Sequence, residues 1–146
     1  MQFTKLSTAL LALVFAIPSS LAQSTQTLSY DTNYDNANLS LSSVACSDGS
    51  NGLESKGYTT LGSLPAFPYV GGAYTVTGWN STACGTCYAV TYGSNTINVL
   101  AVDVSKAGFT VSEEAMNALT NNEAVALGRI DVSALQVNAT ACKMPA

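Results

Sequence analysis

The segment Trp79–Tyr92 reads WNSTACGTCYAVTY, and the role given to its C-G-T-C decides the fold. A close cysteine pair can be a redox dithiol, half of a zinc site, or two disulfide halves lying side by side. A thioredoxin-type dithiol needs its first cysteine at a helix N-terminus, where the dipole lowers the thiol pKa. Cys87 is followed instead by Tyr-Ala-Val-Thr-Tyr, an aromatic and β-branched alternation that reads as a strand. Structural zinc sites usually draw on two close pairs, whereas Cys46 and Cys142 are isolated and the chain has no histidine. Neither metal nor cofactor is expected, and disulfides are the favoured reading. A Cys84–Cys87 bond would close a tiny ring and constrain almost nothing. The other two pairings send both cysteines to distant partners, and both stay open at this point. A loop closed from Cys46 to Cys84 removes about 4 kcal/mol of unfolded-chain entropy.

The N-terminus supports that choice. Lys5, an apolar run from Leu6 to Ile17, a Pro-Ser-Ser break and small residues at Ser20 and Ala22 form a secretory signal pattern over residues 1–22. The run is shorter than the roughly 20 residues that a membrane span needs. The mature chain is expected to be secreted and extracellular, where disulfides persist. It is long enough for one domain, over 28–146, after a loose polar lead-in at 23–27. Cleavage removes Lys5 and leaves Lys56, Lys106, Arg129 and Lys143 as the only cations in a chain whose formal charge is already -4. Four scattered cations make no phosphate-neutralising patch, which excludes nucleic acid as a partner class. Ser, Thr, Asn and Gly dominate the polar residues, a surface suited to neutral partners such as carbohydrate. Asn38, Asn80 and Asn138 open the sequons NLS, NST and NAT and are glycosylation candidates.

Alternation and turn signals place strands at 28–34, 43–47, 73–77, 88–92, 96–103, 128–132 and 134–137, with a hairpin turn at 93–95. Residues 53–56 and 123–126 read as single helical turns, and LGSLPAFPYVGG, 61–72, reads as a long ordered loop. SEEAMNALT, 112–120, is the one good helix, with Ser112 as cap, Glu113 and Glu114 at the dipole's positive end, and Ala115, Met116 and Leu119 on one face. Short strands, one helix and long-range disulfides point to a small closed β-barrel.

The motifs SYD (29–31), VACSDGSNGL (44–53), TLGSLPAFPYVGG (60–72), GWNSTACGTCYAVTY (78–92) and GRIDVSALQV (128–137) together resemble the cerato-platanin family of small secreted fungal proteins. The likeness runs in order through nearly the whole mature chain. It implies a mainly β fold: a six-stranded double-ψ β-barrel, related to the first domain of expansins, with Cys46 paired to Cys84 and Cys87 to Cys142. It also implies a non-hydrolytic role in the fungal wall. Members bind chitin oligomers, loosen chitin or cellulose, gather at interfaces and are sensed by plants as elicitors of defence or phytotoxins; some are allergens. Chitin or cellulose, a plant immune receptor and further copies of the chain are therefore the expected partners.

The chemistry of the acids narrows the reading. A glycoside hydrolase uses a pair of carboxyl groups flanking the scissile bond. Asp103 ends the apolar run INVLAV and enters a loop, where a strand can present a carboxylate in a groove. By resemblance it matches the aspartate that cerato-platanins share with expansins and related endoglucanases. Glu113 and Glu114 suit capping better than proton donation. With no evident second acid and no histidine, non-catalytic binding is expected, with Asp103 accepting hydrogen bonds from sugar hydroxyls or acetamides. Weak β-glucan hydrolysis through Asp103 is the alternative. The family's polar surface carries over to Tyr30, Asp31, Asn51, Gly52, Thr110 and Gln136. Trp79, Tyr88 and Tyr92 lie beside the cysteines and are expected in the core. Leu64, Phe67, Tyr69 and Val70 form an apolar patch in a third reading, that of a surface-active coat protein, the alternative being that they fold onto the barrel as ordinary core. Where members commonly read D-S-G-x-G-G-F-N, this chain has DVSKAGFT at 103–110, which exchanges an asparagine for Thr110 and shortens its hydrogen-bonding reach.

Overall fold

The computed structural model describes residues 22–146. The expected targeting segment therefore lies, Ala22 apart, outside the described residues. Six strands close into a barrel: β1 (Ser24–Tyr30), β2 (Val70–Ala73), β3 (Cys87–Tyr92), β4 (Asn95–Val104), β5 (Phe109–Val111) and β6 (Arg129–Val137), in the order β1-β5-β2-β4-β3-β6. β1 pairs with β5 and β2 with β4 in parallel, while the other pairs are antiparallel. This closed, mixed, six-stranded barrel is the fold the resemblance implies. Leu28, Val70, Val90, Val99, Leu100, Phe109, Val111 and Val132 are among the side chains that fill its interior. Phe109 takes Tyr74 and Tyr88 edge-on, with ring centroids 5.7 and 5.2 Å away, a favoured aromatic geometry.

The cysteines form Cys46–Cys84 and Cys87–Cys142, with Cα separations of 5.4 and 5.8 Å. C-G-T-C is thus a junction: Cys84 ties the loop after residue 44 to the mouth of β3, and Cys87 ties the start of β3 to the C-terminal 3-10 turn at Ala139–Cys142. On the loop-entropy model each bond is worth about 4 kcal/mol.

Helix α1 (Glu113–Thr120) follows β5, and a short α2 (Ala124–Leu127) leads into β6. Ser112 Oγ accepts the Ala115 N–H at 3.0 Å, the N-cap bond expected of that serine. Ala115, Met116 and Leu119 are fully buried on the inner face, and Asn121 ends the helix in the left-handed region at φ 55°. Among the described residues no helix is long and apolar enough to cross a membrane.

Several local expectations change. The lead-in at 23–27 is not loose: β1 begins at Ser24, and Ser24–Thr27 pair with Ala134–Asp131 of β6. Polar side chains concealed this strand because its backbone hydrogen bonds hold it. β1 stops at Tyr30 rather than Tyr34, because Asp31 caps the 3-10 turn Thr32–Asp35 by accepting the Asn33 N–H. No strand forms at 43–47, since the Ala45 N–H goes to the Asp103 carboxylate and only the Cys46 N–H reaches β4, at the Val102 carbonyl. The expected loop 61–72 ends inside β2, and of the expected strand 73–77 only Ala73 is strand, the end of β2, followed by a turn closed by Val76 N–H to the Ala73 carbonyl. Val-Gly-Gly reads as a loop in sequence, but the glycines are needed because the neighbouring strands pass so close that a Cβ on Gly71 would sit 2.2 Å from the Thr110 carbonyl oxygen of β5 and one on Gly72 2.6 Å from the Val104 carbonyl oxygen of β4. β5 is three residues long, too short for alternation to show. The two closing strands are one, because Ser133 falls at an outward position between buried Val132 and Ala134.

Candidate functional site

Asp103 lies near the end of β4 and is half-buried. Its Oδ1 accepts the N–H groups of Ala45 at 3.0 Å and Val104 at 2.8 Å, and its Oδ2 accepts the Tyr34 hydroxyl at 2.9 Å. Three donors from three parts of the chain therefore fix this carboxylate. A carboxylate has roughly four acceptor positions, so one on Oδ2 stays uncommitted. Burial, and then the adjacent Asp103 carboxylate that takes its hydrogen bond, push the Tyr34 hydroxyl well above the ordinary tyrosine pKa, with a smaller push from Asp31. Tyr34 therefore stays a proton-bearing donor to Asp103 throughout the physiological range.

Asp103 and Asp31 line one shallow hollow of about 310 Å³ together with Asn33, Tyr34, Leu39, Ser43 and Val44. Asp31 gets there because its N–H bonds the Val111 carbonyl at the end of β5 and its Oδ1 caps the next turn. Thr110 does not line this hollow but lies two strands from Asp103: Gly72 of β2 pairs with Asp103 on one side and Thr110 on the other, so only the β2 backbone separates them. The Thr110 hydroxyl is shared with Ser105 Oγ at 3.0 Å. Tyr30 is the half-buried last residue of β1, paired with Val111. The hydroxyl protons of Tyr34 and Ser43 are spent on Asp103 and the Ser40 carbonyl, so the hollow offers carboxylate and hydroxyl acceptors and the Asn33 side-chain amide as donor, which suits a ligand whose groups both give and take hydrogen bonds.

A cerato-platanin family model matches residues 26–144. The chain belongs to the cerato-platanin family. It is 49% identical over 145 residues to a heat-stable 19 kDa antigen of Coccidioides immitis, covering 97% of this chain and 98% of that one. Among solved structures it is similar to cerato-platanin 3 from M. perniciosa, with TM-score 0.80 and 52% identity over 83% of this chain and 100% of that one. It is likewise similar to the solution structure of the fungal elicitor cerato-platanin, with TM-score 0.73 and 43% identity over 80% and 95% of the two chains.

Within this cerato-platanin barrel the remaining candidates fall elsewhere. Gln136 is exposed on β6, opposite Tyr88, and lines a separate hollow with Ser24, Tyr74 and Thr75. Gly52 is buried, and a Cβ there would meet the Ser47 and Asp48 carbonyl oxygens at 2.1 and 2.2 Å, so its type is set by close backbone packing. Asn51 donates its N–H to Asn80 Oδ1 at 2.9 Å and its amide to the Asn80 carbonyl at 3.0 Å, tying two loops together. Of the sequon asparagines, Asn38 is exposed, Asn80 is engaged with Asn51, and Asn138 caps the last 3-10 turn by accepting from Thr140. Tyr88 is buried, with its hydroxyl 2.6 Å from that of Thr75, and Tyr92 packs half-buried on the core.

Two expectations about apolar residues are corrected. Trp79 is not in the core: 64% of it is exposed, because its ring lies outside the barrel and its indole N–H is held by Asp48. The apolar patch fails for the opposite reason. Leu64 and Val70 are buried and Phe67 and Tyr69 pack half-buried against the core, so the 61–72 segment folds down onto the barrel. Tyr34, Asn33 and Ser43 are site residues that sequence reasoning missed. Their only signal was proximity to the S-Y-D and V-A-C motifs, since the Tyr34 contact with Asp103 spans 69 residues.

Proposed function

We propose that this protein is a secreted, non-hydrolytic binder of chitin- or cellulose-type polysaccharide that loosens the polymer in the fungal wall and is sensed by plants as an elicitor. The observation that carries the reading is the Asp103 carboxylate, fixed by three donors yet still lining a hollow shared with Asp31. Such a carboxylate is preorganised to accept a hydrogen bond from a sugar hydroxyl or acetamide without an ordering cost on binding. Asp31 supplies a second acceptor, the Asn33 side-chain amide offers donors, and Ser43 Oγ, whose proton goes to the Ser40 carbonyl, adds an acceptor. Thr110, two strands from Asp103, and Tyr30, next to Asp31, flank the hollow, and the low-charge surface matches a neutral polymer. The elicitor element rests on likeness to the fungal elicitor cerato-platanin. Secretion is supported by the two disulfides, which fit an oxidising compartment.

Hydrolysis is the weaker reading. It requires one carboxylic acid to give up a proton to the leaving group, but the donors around Asp103 and the Asn33 N–H on Asp31 treat both groups as acceptors. Sedimentation with insoluble chitin, cellulose and β-glucan tests the proposal. Asp103→Asn, which keeps the side-chain shape, is expected to lose about tenfold in affinity, the size of one charged hydrogen bond, with no reducing sugar released by either protein. Unchanged binding removes Asp103 from the site, and sugar release abolished by Asp103→Asn establishes the hydrolase instead.

A further inference from the structure

Trp79 is the only tryptophan in the chain, and the fold holds it outside the barrel in a set position. Its Nε1–H donates to Asp48 Oδ1 at 2.6 Å, which pins one edge of the indole. Beneath the ring lies Gly49, whose φ of +83° is left-handed, and a Cβ there would stand 3.2 Å from Trp79 Cζ2 and 2.7 Å from Asn80 Oδ1. The indole therefore rests on a turn that only a glycine lets it approach. Asn80, itself at φ 57°, clamps the same turn through the two hydrogen bonds with Asn51, and the Cys46–Cys84 bridge anchors both loops. The N–H is satisfied, the ring is immobilised, and the apolar face stays open to solvent. No stability argument calls for that arrangement, since burial of the same ring would be favourable.

We propose that the Trp79 indole is a stacking platform for a pyranose ring, a second saccharide subsite beside the Asp103 hollow. A pyranose presents an apolar C–H face and a hydroxyl-bearing rim. Here an apolar indole face is bordered by the Asp48 carboxylate, the Ser50 hydroxyl and the Asn80 side chain, which answer that rim. The two subsites share one piece of backbone. Ala45 bonds Asp103, and Asp48, three residues on, bonds Trp79, so their Cα atoms are at most about 11 Å apart. One oligosaccharide can therefore engage both. The inference rests on the polysaccharide reading above, deepens it, and fails separately from it.

Because the chain has a single tryptophan, its emission reports this residue alone. The full-length chain, with a signal for export to a bacterial periplasm so that Asn80 carries no glycan, is titrated with chitohexaose and with cellohexaose. Saturable change in emission is expected with at least one of them, both in the natural sequence and in Asp103→Asn. Calorimetry is expected to show about a tenfold loss of affinity in Trp79→Ala, the order of an aromatic stacking contact, and partial recovery in Trp79→Phe, which keeps a ring without the Asp48 bond. Full affinity in Trp79→Ala overturns the proposal whether or not the emission moves. Loss in Trp79→Ala with none in Asp103→Asn removes the Asp103 reading and leaves this one standing. No binding of either sugar by the natural sequence overturns both.

Discussion

Asp35 and Asp103 each receive two backbone N–H groups, and each lines a hollow on the barrel surface. Asp35 gives one oxygen apiece to Glu113 and Glu114, the first two residues of α1, at 2.8 and 3.0 Å. It thereby satisfies orphan donors and opposes the helix dipole from a segment 78 residues away. Its hollow, about 480 Å³ and larger than that at Asp103, adds Glu113 and Glu114 to its walls. Asp103 instead binds a loop, its own neighbour and a buried tyrosine, and so organises the surface around itself. The same side chain secures secondary structure in one place and arranges an array of polar groups in the other. The larger hollow is thus the one whose aspartate is committed to holding a helix end.

Three perturbations test how far that contrast holds. The largest effect is expected from Cys46→Ser with Cys84→Ser, at about 4 kcal/mol of stability on the loop model, read as a fall in the denaturant midpoint. Amide exchange should accelerate first at Ala45, next to the missing bridge, while Glu113 and Glu114 keep their protection; equal acceleration at both would show that the two hollows are one cooperative unit.

Asp35→Ala comes second, with about 2 kcal/mol expected from the lost cap. Polysaccharide binding at a temperature where the variant is folded should be unaltered. Weakened binding would mean that the α1 hollow also contacts polymer and would dissolve the distinction. Tyr34→Phe is the smallest, at about 1 kcal/mol for one hydrogen bond near neutral pH, and it carries a pH signature. The folded-state pKa of Tyr34 is raised, so the folded chain keeps a proton that the unfolded chain gives up. Its contribution is complete below the unfolded tyrosine value, about 10, and is lost as pH climbs from there toward the folded value. Stability of the natural sequence is therefore expected to fall above that pH more steeply than that of Tyr34→Phe, and parallel alkaline limbs in denaturant midpoints would contradict it.

Much of the architecture was legible because disulfides, caps and alternation are local signals or carry recognisable motifs. Ser112 with Glu113 and Glu114 announced α1, and the strand after Cys87 excluded a redox helix at C-G-T-C. What escaped were elements whose partners are remote. β2 hides behind two glycines, Gly71 required by the closeness of β5 and Gly72 by that of β4, β5 is too short to show a period, and the segment 43–47 reads as a strand but has the Ala45 N–H claimed by a side chain. At the site, Asp103 could be singled out by its place at the end of an apolar run and by resemblance. Its pairing with Tyr34 depends on a three-dimensional approach that no spacing encodes. Trp79 was misjudged because an aromatic beside cysteines is ordinarily packed, and only the structure shows the Asp48 bond holding it out.

The seam between β1 and β6 bears on how this chain is made. Ser24 pairs with Ala134 and Leu28 with Ile130, so the first strand to emerge finds this partner only when nearly all of the chain is available. Until then both strands present unpaired edges, and contacts of such long range make closure slow relative to helix formation. A nascent chain must therefore hold a mostly polar S-T-Q-T-L-S-Y stretch open without snagging a neighbour. Its serines, threonines and glutamine, which disguised it as a tail, are what keep it soluble during the wait.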